Sequence, residues 1–230
     1  MSKGFSIAID GPTASGKGTV ATALANKLNG LFMSTGSMYR ILALLCLEKG
    51  IDINNEKEVA RVLPSVNVDY IGKKVFLNGV DVTDKIRQSE VSHASSVVAV
   101  YAKVRNDLVK KQQQIAQKYV DKGQIVIADG RDTGTRVLPN AALKIFLTAS
   151  LGIRVKRSLE RYKQEGIHKS MEDVFLETEI RDKRDTKRHI DPLPSNPVAF
   201  GYWVLDNSNQ TENETIAEIM SELKKRGLIK

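Results

Sequence analysis

A segment close to the start of the chain combines glycines, a lysine and hydroxyl side chains. Together these residue types suit phosphate binding. Residues 11–19 read GPTASGKGT, and four residues separate Gly11 from the Gly16-Lys17 pair. Glycine lets the backbone turn tightly enough for several N–H groups to face one phosphate, and a following helix adds the positive end of its dipole. Lys17 can then reach the outer phosphates of ATP. We predict that this phosphate loop binds ATP through Gly11, Pro12, Thr13, Ala14, Ser15, Gly16, Lys17, Gly18 and Thr19.

The position after Lys17 departs from the usual pattern of such loops. A Ser or Thr that binds magnesium commonly stands there, whereas this chain has Gly18 and places its hydroxyl one residue later, at Thr19. Asp129 follows the apolar run 125–128, and a carboxylate at the end of a strand beside a phosphate loop can hold Mg²⁺ directly or through water. An ordinary aspartate that caps a turn is the alternative interpretation of Asp129.

Arginines recur at helical spacing in the second half of the chain. Six of them fall three or four residues apart, in two groups that a helix would place on one face each. The groups are Arg154, Arg157 and Arg161, and Arg181, Arg184 and Arg188. Planar guanidinium groups match the charge that phosphoryl transfer spreads over oxygen atoms, so we expect a functional role for them. A solvated basic face is the alternative, and it is the better interpretation for the lysines nearby.

The sequence offers no obvious general base. The histidines, His93, His168 and His189, lack metal-ligand spacing and show no Ser-His-Asp or Cys-His arrangement, and we expect Cys46 to be a buried core thiol. An acceptor that is itself a phosphate monoester would need no base, because its oxygen is already anionic near neutral pH. Positioning and charge neutralisation would then suffice for catalysis.

Composition restricts the partners and the location. The net charge of +8 favours a polyanion, which could be nucleic acid, an acidic membrane or a small phosphorylated substrate. No apolar run approaches the roughly 18 residues of a membrane span, and a single cysteine forms no disulfide framework. Residues 1–4 lack the features of a signal peptide. We therefore expect a cytoplasmic protein with no membrane partner.

The elements that would position these residues alternate between strand and helix. Buried strands are predicted at residues 5–10, 31–33, 125–128, 143–147 and 204–206. Helices are predicted at 19–28, 37–48 and 214–225, and a basic helical region at 153–188, where Ser170 and Asp173 resemble a capping box. Such alternation is typical of a parallel sheet with helices on both faces, in the α/β class.

The segment from 66 to 82 has a different pattern. Apolar and polar residues alternate there around an Asn78-Gly79 pair, which is a strong signal for a β-hairpin and indicates a small antiparallel insertion. One long helix is predicted after it, because apolar residues follow at helical spacing. These residues are Val97, Tyr101, Val104, Leu108 and Ile115.

Several further motifs occur in an order that resembles the bacterial cytidylate kinases. They are TGSMYR from Thr35, IRQSEV from Ile86, ADGRD from Ala128, KIFL from Lys144 and RDKRD from Arg181. With the phosphate loop they cover nearly the whole chain. The resemblance implies an ATP-dependent transfer of phosphate to CMP or dCMP, which gives ADP and CDP or dCDP. It also implies a P-loop kinase fold with a five-stranded parallel sheet, an antiparallel substrate-binding insertion and a mobile helical lid.

The resemblance also implies roles for individual residues within one kinase domain, 1–230. Its core would be about 1–62, 95–152 and 189–230, its insertion about 63–94 and its lid about 153–188. The CMP phosphate would be held by Thr35, Arg40, Arg131 and Arg188. The cytosine would be read by Ser96, Arg105 and Asp132, and the ribose would face Arg181 and Asp185. The catalytic set would be Lys17, Arg131, Arg154, Arg157 and Arg188.

The chemistry of cytosine supports part of this assignment. Its amino group needs an acceptor such as Asp132, while its N3 and carbonyl need donors such as Arg105 or Ser96. An ion pair of Asp132 with Arg131 or a lysine is the alternative. Ser34 stands where the family commonly has Asp, and the Gly18-Thr19 ending favours magnesium held through water.

Two other functions remain open at this stage. One is a P-loop kinase for another nucleoside monophosphate or a small metabolite, against which the insertion and the cytosine-reading residues argue. The other is a nucleic-acid-binding or regulatory ATP-binding protein, which the net charge would suit. The chain shows no aromatic stacking pattern of the RNA-binding kind, so we expect no nucleic-acid partner. Nothing in the sequence suggests an oligomer, and we expect a monomer.

Overall fold

A five-stranded parallel sheet forms the centre of the computed structural model, which describes residues 4–72 and 74–230. The strands are β1 (Ser6–Asp10), β2 (Leu31–Ser34), β6 (Val126–Gly130), β7 (Leu143–Thr148) and β8 (Trp203–Asp206). They lie in the order β2-β6-β1-β7-β8, and every neighbouring pair is parallel. The predicted strands and their parallel arrangement are confirmed. All five strands therefore end at one edge of the sheet, where ligands of α/β proteins bind.

Helices cover both faces of this sheet. They are α1 (Lys17–Lys27), α2 (Thr35–Glu48), α3 (Glu56–Val62), α4 (Ser89–Val98), α5 (Ala102–Asp121), α6 (Leu151–Gln164), α7 (Met171–Lys187) and α8 (Glu212–Lys225). Side chains of α1 and α8, such as Leu24 and Ile219, pack with Ile7 and Ile9 on one face. Those of α2, α4 and α5 pack with Ala8 and others on the opposite face. Within the described ranges, no helix is both long and apolar enough to cross a membrane.

The single long helix predicted through residues 97–115 is wrong, because α4 ends at Val98 and α5 begins at Ala102. Two side-chain hydrogen bonds hold the break. The Tyr101 hydroxyl donates to the carbonyl of Ile53 at 2.9 Å, and Arg105 Nη1 donates to the carbonyl of Ala99 at 3.2 Å. Neither glycine nor proline marks the break, and the apolar spacing continues through it. The sequence therefore gives no local signal that the helix ends there.

A second, antiparallel sheet is formed by β3 (Val68–Ile71), β4 (Lys74–Leu77) and β5 (Val80–Asp81). Asn78 and Gly79 connect β4 and β5 with φ of 51° and 82°, as the predicted hairpin requires. The Tyr70 hydroxyl donates to the carbonyl of Ser34 at 3.1 Å, which ties this small sheet to the end of β2.

The predicted basic helical region consists of two helices, α6 and α7, that pack against each other. Ser170 caps α7 by accepting a hydrogen bond from the N–H of Asp173 at 3.0 Å. The Asp173 carboxylate accepts from the Ser170 hydroxyl instead of its N–H, so only half of the predicted capping box forms. Arg188 follows the last residue of α7 with an extended backbone (ψ 142°). It therefore lies beyond the helix and not on its face.

Candidate active site

The phosphate loop connects β1 with α1 at the carboxyl edge of the sheet. Its turn depends on left-handed backbone conformations at Gly11 (φ 151°), Ala14 (φ 58°) and Gly16 (φ 93°). A Cβ atom at Gly11 would collide with the carbonyl oxygen of Leu147, so glycine is required there. Thr19, the last of the residues predicted to bind ATP, lies on the first turn of α1 and is exposed.

Lys17 folds over its own loop. Its Nζ donates to the carbonyl of Pro12 at 2.6 Å and to Ser15 Oγ at 3.2 Å, and only 6% of the residue is exposed. Burial, together with the positive charge of Arg131, holds the pKa of Lys17 well below its usual value, against the opposing charge of Asp129. The charged form of Lys17 is therefore disfavoured in this structure, and its ammonium group lies where a negatively charged phosphate would stabilise it.

Asp129 offers a carboxylate beside this loop. Its Oδ1 atom is buried without a hydrogen-bond partner among the described residues, and burial raises its pKa. A Cβ on Gly18 would lie 3.5 Å from Asp129 Oδ2, so this carboxylate stands next to the position that usually carries the metal-binding hydroxyl. No group of three or more His, Cys, Asp or Glu suited to a metal occurs in residues 4–72 and 74–230. Mg²⁺ usually keeps several of its waters and binds through one or two carboxylates and the phosphates of a substrate. A single carboxylate with one oxygen left without a hydrogen-bond partner among the described residues suits this kind of binding.

A cavity of about 110 Å³ lies at the same edge of the sheet, and every residue predicted to bind the acceptor lines it. The structure thus brings together Thr35, Arg40, Ser96, Arg105, Arg131, Asp132, Arg181, Asp185 and Arg188. A larger cleft of about 800 Å³ shares Arg40 and Arg181 with this cavity and is also lined by Thr13, Gly18 and Asp129. The cleft therefore joins the phosphate loop to the cavity.

Smaller polar contacts set the walls of the cavity. Thr35 Oγ1 donates to the carbonyl of Asp129 at 2.7 Å, and Arg40 Nη1 donates to the carbonyl of Ile86 at 2.9 Å. Ser96 Oγ donates to the carbonyl of Ser92 at 3.3 Å. The first contact ties the start of α2 to β6, the second ties α2 to the turn before α4, and the third lies within α4.

Two arginines hold Asp132 inside the cavity. Arg105 Nη2 donates to its Oδ2 at 2.5 Å, and Arg188 Nη2 donates to its Oδ1 at 3.1 Å. Arg105 is only 1% exposed and lies over the ring of Tyr39, 5.5 Å from the ring centre. The alternative pairing of Asp132 with Arg131 or a lysine is wrong, because Arg105 and Arg188 take both of its oxygens.

Arg131 instead connects the cavity with the phosphate loop. Its Nε donates to Asp185 Oδ2 at 2.6 Å and its Nη2 donates to Thr13 Oγ1 at 3.1 Å. Burial opposes the charge of Arg131, but the negative charges of Asp185 and Asp129 raise its pKa. Burial and the neighbouring Arg131 lower the pKa of Arg181 to about 10. Two guanidinium groups therefore lie close together between the loop and the cavity, with the carboxylate of Asp185 beside them.

The two predicted lid arginines of α6 both touch the phosphate loop. Arg154 Nη1 donates to the carbonyl of Thr13 at 3.1 Å and to Asp182 Oδ2 at 2.5 Å. Arg157 Nη1 donates to the carbonyl of Ser15 at 3.2 Å and to Asn207 Oδ1 at 3.0 Å. Helix α6 therefore contacts the loop directly, and α7 reaches it through Asp182.

Sequence reasoning missed several residues that shape the site. Asp182 accepts from the N–H of Thr13 at 3.1 Å, and Asn207 Nδ2 donates to the carbonyl of Ser15 at 3.1 Å. Gln112 Nε2 donates to the carbonyl of Thr35 at 3.1 Å. Asp191 contacts Arg105. Asp182 lies within the RDKRD motif, which could have pointed to it, whereas Gln112, Asp191 and Asn207 belong to none of the motifs found in the sequence.

Asp10 was also missed, although it ends the strand before the loop. It is fully buried and accepts from the N–H groups of Thr133 and Gly134 at 2.9 and 2.7 Å and from the Tyr202 hydroxyl at 2.6 Å. Burial raises its pKa against these three donors. Asp10 therefore fixes the π-helical turn Thr133–Val137, which directly follows Asp132.

Comparison with known proteins identifies the family of this site. A family model described as cytidylate kinase matches residues 7–225. The chain belongs to the cytidylate kinase family. The cytidylate kinase of Bacillus subtilis is 43% identical over 84% of this chain and 86% of its own. Those of Thermotoga maritima and Limosilactobacillus reuteri are each 40% identical, over 97% and 98% of this chain and 98% and 97% of their own.

A solved structure shows the same fold at much lower identity. The crystal structure of an uncharacterized protein from Eubacterium ventriosum is 12% identical, with a TM-score of 0.54, and covers 96% of this chain and 98% of that one. At this identity the likeness concerns the fold alone. The assignment to the cytidylate kinases therefore depends on the family model and on the curated relatives.

Proposed function

We propose that this protein transfers a phosphoryl group from ATP to CMP or dCMP, giving ADP and CDP or dCDP. The observation that carries the proposal is the bridge between the two parts of the site: Arg131 bonds Thr13 of the phosphate loop and Asp185 of the cavity. One group can thus contact donor and acceptor phosphates together. Membership of the cytidylate kinase family agrees with this reaction.

The phosphate loop would bind ATP. Its N–H groups would face the phosphates, and Lys17 would follow the charge as the γ-phosphoryl group moves. Arg154 and Arg157, already in contact with the loop, would close over the transferring group. Magnesium would neutralise charge on the outer phosphates, and Asp129 would hold it through water.

The cavity would bind the nucleoside monophosphate. Cytosine would donate from its amino group to Asp132 and accept at N3 and its carbonyl from Arg105 and Ser96. Its ribose would face Arg181 and Asp185. The acceptor phosphate would be held by Thr35, Arg40, Arg131 and Arg188.

This arrangement explains a reaction without a general base. No histidine lies among the described residues that line the cavity. A phosphate monoester has a second pKa near 6, so its oxygen is anionic at neutral pH. The arginines therefore need only to orient the acceptor oxygen and neutralise its charge.

The parts of the chain would move separately around this site. The core would comprise about 1–62, 95–152 and 189–230, with the antiparallel insertion at about 63–94 and the lid at about 153–188. The lid would open for ATP to enter, which requires the contacts of Asp182 and Arg154 with Thr13 to break. We further propose that the protein acts as a monomer in the cytoplasm.

A coupled assay of ADP release tests the function. The protein, ATP and Mg²⁺ would be presented separately with CMP, dCMP, UMP, AMP and GMP, and Lys17→Ala would serve as the loop control. We expect strong turnover with CMP and dCMP, little with the purines and none in the variant. Turnover with another acceptor alone would make the protein a different small-molecule kinase.

The nucleic-acid rival has its own test. Retention on immobilised DNA would be measured across a salt gradient. Binding that is independent of sequence and falls steeply with salt, together with no turnover of any nucleotide, would favour that rival.

A further inference from the structure

A second carboxylate, Asp191, lies behind the two arginines that hold Asp132. Arg105 donates to Asp132 through Nη2 and to Asp191 Oδ2 through Nε, the latter at 3.1 Å. Arg188 donates to Asp132 through Nη2 and to the backbone carbonyl of Asp191 through Nε at 2.7 Å. Asp132, Arg105, Asp191 and Arg188 thus form a closed ring of hydrogen bonds.

The backbone of Asp191 makes this double contact possible. Its φ of 47° lies in the left-handed region, which Asp and Asn adopt more readily than most residues. In this conformation one residue directs its carboxylate at Arg105 and its carbonyl at Arg188. The side chain of Asp191 is only 11% exposed.

Asp191 has one further partner, outside the ring. Arg136 Nε donates to its Oδ1 at 2.8 Å, and the Arg136 side chain is 46% exposed. Each oxygen of Asp191 therefore serves a different arginine, one buried and one at the surface. This separation offers a matched control, because a change of the Arg136 side chain leaves its backbone N–H bond to the carbonyl of Asp132 in place.

The charges explain why a second carboxylate matters. Without Asp191, the Nε of Arg105 would lose its acceptor in a buried place, and one of the contacts that fix the guanidinium beside Asp132 would be gone. Arg105 and Asp132 would then be less well ordered for a bound cytosine. We propose that Asp191 is a positioning residue that fixes Arg105 and Arg188 and so sets the preference for cytosine over uracil.

This inference depends on the proposed function, since it assigns the cavity to a pyrimidine base. Cytosine uses both Asp132 as acceptor and Arg105 as donor. Uracil presents a carbonyl in place of the amino group and an N–H at N3, so it gains much less from this ordered pair. Loss of the ring should therefore cost CMP more than UMP.

The test uses Asp191→Asn, with Arg136→Gln as the control. Asparagine keeps the size, the left-handed backbone and the carbonyl bond to Arg188, but removes the charge that faces Arg105. We expect Asp191→Asn to raise the KM for CMP about 10- to 100-fold, as loss of a charged hydrogen bond does. The kcat, the KM for ATP and the values for UMP should change by less than about threefold, and Arg136→Gln should resemble the wild type.

Asp191→Gly gives a second route if the first variant folds poorly. Glycine removes the carboxylate but adopts the left-handed conformation without strain, so the protein should fold and show the same rise in the KM for CMP. Equal losses for CMP and UMP, or an unchanged KM for CMP in both variants, would overturn the inference. A wild-type protein that fails to turn over CMP would instead contradict the proposed function.

Discussion

The buried pair of Tyr202 and Asp10 allows a quantitative prediction about stability. The Tyr202 hydroxyl donates to Asp10 Oδ2 at 2.6 Å, Asp10 is fully buried and Tyr202 is 5% exposed. Tyr202→Phe removes only this hydroxyl, since the ring keeps its edge-on contact with Phe146. A hydrogen bond to a charged group contributes about 1.5–3 kcal/mol. Oδ2 retains the N–H of Gly134, so we expect a loss of about 2 kcal/mol in the free energy of unfolding near pH 8.

The loss should depend on pH. Burial raises the pKa of Asp10 above the ordinary value of 3.8, whereas the Tyr202 hydroxyl favours the ionised form and lowers it. The folded state thus takes up a proton at higher pH than the unfolded state, and the contribution of Asp10 to stability falls as pH rises through its raised pKa. Without the hydroxyl this pKa rises further. The difference in the free energy of unfolding between wild type and variant is therefore largest at high pH, where Asp10 is ionised, and shrinks as the pH falls through the raised pKa of Asp10.

Urea unfolding of wild type and variant at pH 8 and pH 5 measures both effects. Tyr101→Phe is the matched control, because its hydroxyl donates at 2.9 Å to the neutral carbonyl of Ile53. That control should lose about 1 kcal/mol at either pH. Equal losses in the two variants with no dependence on pH would refute an ionised Asp10 at the centre of this network.

Three further substitutions test the phosphate loop, the base-reading residue and the end of strand β6. Lys17→Ala should lower kcat/KM about 1000-fold or more while the urea midpoint stays near that of the wild type; retained turnover would refute the role of the loop. Asp132→Asn should raise the KM for CMP about 10- to 100-fold and that for UMP much less, measured by ADP release, and equal losses would remove Asp132 from base recognition. Gly130→Ala would push a methyl group into the hydroxyls of Thr35 and Thr133, so unfolding should show a loss of about 1–3 kcal/mol, whereas unchanged stability would contradict this tight approach.

Local patterns in the sequence predicted the sheet and the phosphate loop. Buried strands are short apolar runs, and the loop is a fixed spacing of glycines and a lysine. The Asn78-Gly79 turn was predictable for the same reason, because its positive φ values are a property of those two residues. Such features depend on neighbours in the chain, and the sequence displays them directly.

The break between α4 and α5 shows where this reasoning fails. The apolar spacing runs through Tyr101, but the hydrogen bond from its hydroxyl reaches a carbonyl 48 residues away. A periodic pattern reports which face of a helix is buried and does not report a tertiary contact that ends the helix.

Both the sequence and the tertiary structure were needed to describe the acceptor cavity. Resemblance to a family indicated which residues belong together, and the structure brings all nine of them to one cavity. Their roles toward CMP stay predictions until the variants are measured. The pairing within the cavity was not predictable, since Asp132 bonds Arg105 and Arg188, not its neighbour Arg131.

The sequence by itself determined the strands of the central sheet, the phosphate loop and the resemblance to a family, because these depend on residue types and short spacings. Only the tertiary structure decided which charges meet. Asp10 and Tyr202, which bond each other, are 192 residues apart in the chain, and the bonded pair Arg105 and Asp191 are 86 residues apart. Burial makes such contacts strong and specific, and burial is a property of the folded chain that no local pattern encodes.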